Sequence, residues 1–225
     1  MINHLGIIMD GNRRWAKARL LPSFMGHKAG FDNVRKIVDL AIKKNIKYLT
    51  FWALSVDNLE KREEEELQGL IKLINKIGDS LGELLENKVK FQIIGDIGRL
   101  PKESQEILNS TVERTKQNES IIVTIALVYG GQDEIIRATK KIIKAGIDPE
   151  TLTREEFRKY LDISILPKPD LIVRTGGDIR HSGFLLFDSE YSEYYFSEKK
   201  WPEFDEQELD KAIEAFGNSR KNFGK

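Results

Sequence analysis

Cysteine is absent from the 225 residues, which excludes a disulfide framework, a thiolate metal site and a cysteine nucleophile, and agrees with a reducing compartment. An excess of charge is absent too, since 36 Lys and Arg stand against 36 Asp and Glu. A general nucleic-acid binder needs surplus cations for its phosphate contacts, so no nucleic-acid partner is expected. Nowhere do about 18 apolar residues run together, and Met1-Ile2-Asn3-His4 is not a basic segment leading into an apolar one. The expectation is a chain neither secreted nor membrane-spanning, and hence cytoplasmic. Proline is scarce, at 6 residues, and no Pro- or Gly-rich linker, repeat or low-complexity stretch divides the sequence. One domain over residues 1–225 is therefore expected. The chain also lacks G-x-x-x-x-G-K-[ST] and any G-x-G-x-x-G after a strand, which argues against P-loop and dinucleotide-binding enzymes.

What is present is enough apolar matter for a full core, 40% of the residues, arranged in short runs that alternate with amphipathic stretches. Leu5 to Met9, Tyr48 to Leu54, Val89 to Ile94, Ile121 to Val128 and Asp170 to Arg174 read as buried strands. Helical spacing is read from Gly30 to Asn45, along one long helix from Glu63 to Asn87, from Pro101 onward, and over Asp133 to Ala145, Arg154 to Leu161 and Asp205 to Asn218. The alternation predicts an α/β fold, an open, mostly parallel sheet with helices on both faces. The charge run Glu60 to Glu66 reads as a solvated loop and the acidic first turn of the long helix.

Ligands of such sheets gather at the carboxyl ends of the strands, and two turns there stand out. Met9-Asp10-Gly11-Asn12-Arg13-Arg14-Trp15-Ala16-Lys17 combines a carboxylate, a glycine and several cations. Gly11 can expose backbone N–H groups at a helix start and Arg14 can donate two parallel hydrogen bonds to a phosphate, while Asp10 among cations suggests a divalent metal bridging to that phosphate. Arg174-Thr175-Gly176-Gly177-Asp178-Ile179-Arg180-His181-Ser182-Gly183 sets two arginines around a glycine pair, with a hydroxyl beyond, as a loop around a diphosphate would. Taken singly, each also reads as an ordinary polar turn with surface arginines; together they suggest two anionic ligands.

The run His4 to Lys17 resembles the opening of the cis-prenyltransferases, the undecaprenyl diphosphate synthase family. The resemblance continues in order through Gly26-His27-Lys28-Ala29-Gly30, Ser55 to Asn58, which is similar to that family's Ser-x-Glu-Asn segment, Ile94-Gly95-Asp96, Tyr129-Gly130-Gly131, Arg174 to Gly177, Ser182 to Leu186 and Trp201-Pro202-Glu203-Phe204. It covers essentially the whole chain. There is no Asp-Asp pair, so the metal motif of the all-helical trans-prenyltransferases is missing. The resemblance implies condensation of isopentenyl diphosphate onto an allylic diphosphate of the farnesyl type, with Mg2+ as cofactor. It makes Asp10 the catalytic, magnesium-linked carboxylate and Asn58 a catalytic residue on a mobile loop. It assigns Gly11, Asn12, Arg13, Arg14, Trp15, His27, Ser55, Asp57 and Lys61 to substrate binding, the allylic diphosphate lying on Gly11, Asn12, Arg14 and His27. Arg174, Arg180 and Ser182 fall on the isopentenyl diphosphate site, and Glu193 on a carboxylate supplied to the metal across a homodimer.

Departures from that pattern are Ser23, Lys61 and Asn222 at positions where many members carry arginine, Leu59 for a common tryptophan, Asp57 and Asp178 for glutamates, and Arg62-Glu63 near a common Arg-Pro. The apolar face Leu70, Ile74, Ile77, Leu81 and Leu84 is either the wall of a product tunnel or ordinary core packing. As a wall it favours an undecaprenyl-like product, with peripheral membrane contact on release. The alternatives are a non-catalytic partner subunit of a prenyltransferase and an unrelated phosphate-ester hydrolase.

Overall fold

A computed structural model describes residues 1–219; positions 220–225, Asn222 among them, lie outside the described residues. The strands β1 (His4–Ile8), β2 (Tyr48–Ser55), β3 (Val89–Ile94), β4 (Ile121–Tyr129), β5 (Leu171–Arg174) and β6 (Glu193–Phe196) form a sheet in the order β3-β4-β2-β1-β5-β6. Every pairing is parallel. A parallel sheet needs helical crossovers that cover both faces, which is why its strands are apolar on both sides. All residues of β1 and β5 are buried. Leu5 and Ile7 join a core with α2 (Ser23–Lys43), α4 (Glu64–Asn75), α6 (Lys102–Thr115) and α9 (Glu206–Asn218). Ile8 joins a second core with α7 (Gly131–Lys144) and the segment Phe157 to Phe187. The α/β expectation of helices on both faces therefore holds.

The structure departs from the sequence reading in four places. Helix α2 begins at Ser23, seven positions before Gly30. Gly26 and Gly30 look like breakers but are points of close approach: a Cβ at Gly26 would lie 2.1 Å from the Asn12 carbonyl oxygen, and one at Gly30 would lie 2.4 Å from Asn12 Oδ1. They let α2 pack against α1 (Asn12–Lys17) and bring His27 in beside Asn12. Asn33 Nδ2 donates to the carbonyls of Trp201 at 2.8 Å and Phe204 at 2.9 Å, while Trp201 Nε1 donates to the Gly30 carbonyl at 2.7 Å, fixing the helix in place.

The long helix is in fact α4, a 3₁₀ turn over Gly78–Ser80 and α5 (Leu81–Glu86). Gly78, Asp79 and Ser80 are poor helix interiors, and their run interrupts the hydrogen-bond ladder that the apolar spacing alone suggested. Asn58 lies in the short helix α3 (Val56–Lys61), capped by the Ser55 hydroxyl, which accepts from the Asn58 N–H at 3.0 Å, rather than in a loop. The aromatic cluster Tyr194, Tyr195 and Phe196 forms edge strand β6. Among the described residues no helix is long and apolar enough to cross a membrane.

His4 latches the amino end of the sheet. The Pro167 carbonyl, 2.7 Å from Nδ1, can only accept, so Nδ1 carries the hydrogen, and Nε2 accepts from Thr50 Oγ1 at 2.8 Å. Burial pushes the His4 pKa down to about 4, against the Pro167 carbonyl, Asp170 and Asp188, which raise it. Between the ordinary value and about 4 the unfolded chain takes a proton that the folded chain refuses. Stability is therefore expected to fall as pH falls through that window, by at most about 1.4 kcal/mol per unit. Denaturant titrations at several pH values should show this slope, and a flatter one in His4→Gln; an unchanged slope in the variant would show that another group carries it.

Candidate active site

The two anion-binding turns follow adjacent strands. Ile8 of β1 pairs with Arg174 of β5, so the loops that leave them start side by side. Arg174 is buried to 4% exposure, and a guanidinium there requires partners. Its Nη2 donates to Asp10 Oδ2 at 2.9 Å, and its Nη1 donates to Ser182 Oγ and the Arg180 carbonyl, both at 2.7 Å. Arg14 Nη2 donates to Asp10 Oδ1 at 3.0 Å and to Asp178 Oδ2 at 3.3 Å, and Arg180 Nη1 donates to Asp178 Oδ1 at 3.0 Å. Slight burial raises the Asp178 pKa less than the hydrogen bond from Arg180 and the nearby Arg14 charge lower it, so that carboxyl sits below its ordinary value. Thr175 Oγ1 donates to the Asp10 carbonyl at 2.7 Å and accepts from the Asp10 N–H at 3.0 Å.

Packing this tight demands glycine at Gly176, where φ is +90° and a Cβ would lie 2.8 Å from Arg14 Nη2. Ser182, at φ 51°, holds a left-handed conformation that costs a non-glycine residue energy, and it places the hydroxyl on Arg174.

These loops line an open cleft of about 1510 Å³. Asp10, Gly11, Asn12, Arg13, Arg14, His27, Ser55, Asp57, Asn58, Arg174, Arg180 and Ser182 all face it. No side chain caps α1, which leaves its first N–H groups to solvent or a ligand. Behind the cleft lies an apolar cavity of about 240 Å³ between the sheet, α2 and α4, walled by Val34, Val38, Leu70, Ile74, Phe91 and Leu127 among others. Met9, Asn12, His27 and Ala53 line both spaces. Asn12 Oδ1 is buried there without a hydrogen-bond partner. A polar head in the cleft and an apolar tail in the cavity would therefore belong to one molecule passing between Asn12 and His27.

Three expected residues are not brought to the cleft. Trp15 packs under the Arg19 guanidinium, 4.3 Å from its ring centre. Lys61 is exposed and donates to Asp57 Oδ1 at 2.7 Å, one helical turn away. Glu193 opens β6 opposite Leu171, at the other end of the sheet from Asp10, and accepts from Ser219 Oγ at 2.6 Å. Among the residues that sequence reasoning missed are Asp133, His181 and Arg62, which line the cleft, and Glu66, which lies beside it; Arg62 and Glu66 sit in a charge run that reads as solvated surface.

The family described as "Putative undecaprenyl diphosphate synthase" matches residues 8–224. An isoprenyl transferase of Clostridium tetani is 42% identical over 226 residues, which is 98% of this chain and 88% of that one. One from Fusobacterium nucleatum is 40% identical over 222 residues, 98% and 95% of the two chains. Two solved structures are similar throughout. Lavandulyl diphosphate synthase from Lavandula x intermedia, in complex with dimethylallyl diphosphate, superposes with a TM-score of 0.94 at 32% identity, covering 100% of this chain and 98% of that one. A probable undecaprenyl diphosphate synthase from Campylobacter jejuni gives 0.83 at 32%, covering 100% and 99%.

Removing the charge of Asp10 leaves Arg174 and Arg14 facing one another without it. Asp10→Asn is expected to lower stability by about 1–3 kcal/mol, whereas Lys61→Met, at an exposed ion pair, leaves the melting temperature unchanged. Equal melting of Asp10→Asn and the parent would show that Arg174 does not depend on Asp10.

Proposed function

The chain belongs to the undecaprenyl diphosphate synthase family of isoprenyl transferases, and on that premise we propose that it condenses isopentenyl diphosphate onto a farnesyl-type allylic diphosphate to give a long-chain cis-polyprenyl diphosphate. The observation that carries this reading is the wall at Asn12 and His27, which a cation-lined cleft and an apolar cavity share. The allylic diphosphate lies on Gly11, Asn12 and Arg14 with its tail in the cavity. Isopentenyl diphosphate lies on Arg180 and Ser182, within reach of the Arg174 Nε, which is buried without a partner.

Asp10 and Asp178 meet at Arg14. That donor set suits Mg2+, which binds through one or two carboxylates and completes its shell with water and substrate phosphates. Asp10, with Asp178 beside it, would hold the ion, and when bound it would add positive charge against the diphosphate leaving group. Arg14 and the free N–H groups of α1 stabilise that leaving group as the allylic C–O bond breaks. The double bond of isopentenyl diphosphate then forms the new C–C bond to the allylic carbon, and a proton is lost to the departing diphosphate as the cis double bond forms. Holding both substrates in line supplies much of the rate, and Asn58, on α3 above the cleft, completes the enclosure.

Each added isoprene unit gains roughly 25 cal/mol per Å² of apolar surface buried. The apolar wall of α4 and α5, with Leu70, Ile74, Ile77 and Leu84, supports addition of isoprene units along it; an undecaprenyl-like product would outgrow the cavity of about 240 Å³, and that length rests on the family resemblance. Leu20, 96% exposed, and Leu21, both on the cleft rim, support peripheral membrane contact as the product leaves a cytoplasmic enzyme. The reading includes a homodimer that supplies Glu193 across the interface, supported by the family resemblance and by Tyr191, 67% exposed beside the edge strand; a monomeric mass for the active enzyme would remove that part.

With farnesyl diphosphate, isopentenyl diphosphate and magnesium the chain should form polyprenyl diphosphates. Asp10→Asn is expected to lose at least about 100-fold in turnover while remaining folded, and Arg180→Gln to raise the isopentenyl KM about tenfold with the allylic KM unchanged. No condensation by the wild-type chain would favour a non-catalytic partner, and release of phosphate without chain growth a hydrolase. A rise confined to the allylic KM would exchange the two sites.

A further inference from the structure

The apolar cavity has a second end. Helix α2 carries its wall away from the cleft, since His27, Gly30, Val34 and Val38 line it in turn. From His27 to Arg35 is roughly 12 Å at the helical rise of about 1.5 Å per residue. There the lining turns polar, with Arg35 and Asp39 of α2, Ser80 and Glu83 at the start of α5, and Asn87 just after it. The parallel strands fix which end this is: β3 starts at Val89 and the cleft lies at the carboxyl ends of the strands, so Asn87 and Val89 stand at the opposite edge of the sheet. The Arg35 side chain is 68% exposed and that of Glu83 26%. Both also line the cavity, which therefore reaches the surface between α2 and α5. Arg35 Nε donates to Glu83 Oε1 across that opening, the one polar link between α2 and α5 among the described residues.

The backbone on either side of the opening is held. Asn33 and Trp201 fix α2, and Asn118 Nδ2 donates to the Leu84 carbonyl at 3.2 Å and the Val89 carbonyl at 2.8 Å, tying α5 to β3. The wall behind is the sheet itself, where Val89 and Phe91 are buried. A chain that fills about 240 Å³ thus meets one obstacle that can move without a helix or strand moving, the Arg35 and Glu83 side chains. An ion pair this exposed contributes little to stability, because water replaces each partner, so the two side chains can swing aside for hydrocarbon.

We propose that a growing polyprenyl chain, once it fills the cavity, leaves the fold between α2 and α5 past Arg35 and Glu83, and that this ion pair is the gate on further growth. The proposal rests on the condensation reading above and adds to it the path of the product. The chain has no cysteine, so Arg35→Cys combined with Glu83→Cys introduces its only thiols, and a short bis-maleimide with a disulfide in its linker bridges them across the opening. Products made from farnesyl diphosphate and excess isopentenyl diphosphate are dephosphorylated and separated by chromatography, and the first addition is timed in a single turnover. The bridged protein is expected to make the first addition within about twofold of the parental rate and to stop at products short enough for the cavity. Reduction of the linker should restore the parental distribution. Arg35→Ala, which removes the pair without a bridge, should raise the fraction of chains that grow past the gate by up to about fivefold, the factor for a weak exposed ion pair, with both KM values unchanged.

The same long products with and without the bridge would overturn the proposal, as would a bridge that slows the first addition as much as the later ones. Should the double cysteine variant not fold, Arg35→Ala and Glu83→Ala variants with the parental product distribution would overturn it equally. A parent that condenses but releases only products short enough for the cavity would overturn the gate and leave the condensation reading standing. A parent with no condensation at all would instead overturn that reading, and the proposal with it.

Discussion

The Arg174 guanidinium cannot leave the interior, and the rest of the site follows from that constraint. It stands at the end of β5 with 4% exposure, where an unpaired charge would cost several kcal/mol. Its partners come from two different loops, Asp10 on one side and Ser182 with the Arg180 carbonyl on the other. Thr175 ties the same loops through the Asp10 backbone. Two loops that could each have been a mobile surface turn are thereby set in one fixed relation, which the proposed reaction between two charged substrates requires.

The second constraint is apolar. Gly26 and Gly30 allow α2 to settle against α1, and this places His27 and Asn12 on the wall between cleft and cavity. The helix is interrupted at Gly78–Ser80, and Leu70 and Ile74 of the first piece and Leu84 of the second still line the same cavity as Phe91 of the sheet. Polar and apolar halves of the site therefore share side chains, and displacement of α2 would disturb both.

Much of this was legible in the sequence, for identifiable reasons. The apolar runs of β1, β2, β3, β4 and β5 stand out because a parallel sheet buries both faces, and the loops after β1 and β5 stand out because they follow such runs. Strand β6 was not legible: Glu193–Phe196 is half-buried at the sheet edge and lacks the continuous apolar signature. The start of α2 was hidden because glycines used for close helix contact look like punctuation. Arg62 and Glu66 were hidden in a charge run whose acids are solvated at Glu63, Glu64 and Glu65 but not at Glu66. Trp15 and Lys61, assigned by motif position, stand off the cleft, Trp15 under the Arg19 guanidinium and Lys61 paired with Asp57. The carboxyl-end loops were readable from local sequence; the pairs that cross elements were not, because spacing along the chain carries no record of which helices meet.

The claim that one fixed junction joins a diphosphate cleft to an apolar cavity is tested most directly by a crystal structure with farnesyl thiolodiphosphate, isopentenyl diphosphate and magnesium bound. The expected map shows the farnesyl chain between α2 and α4, its diphosphate on Gly11, Asn12 and Arg14, and the isopentenyl diphosphate on Arg180 and Ser182 with Asp10 between the two. A farnesyl chain lying outside the cavity, or both diphosphates held by one loop, would contradict it.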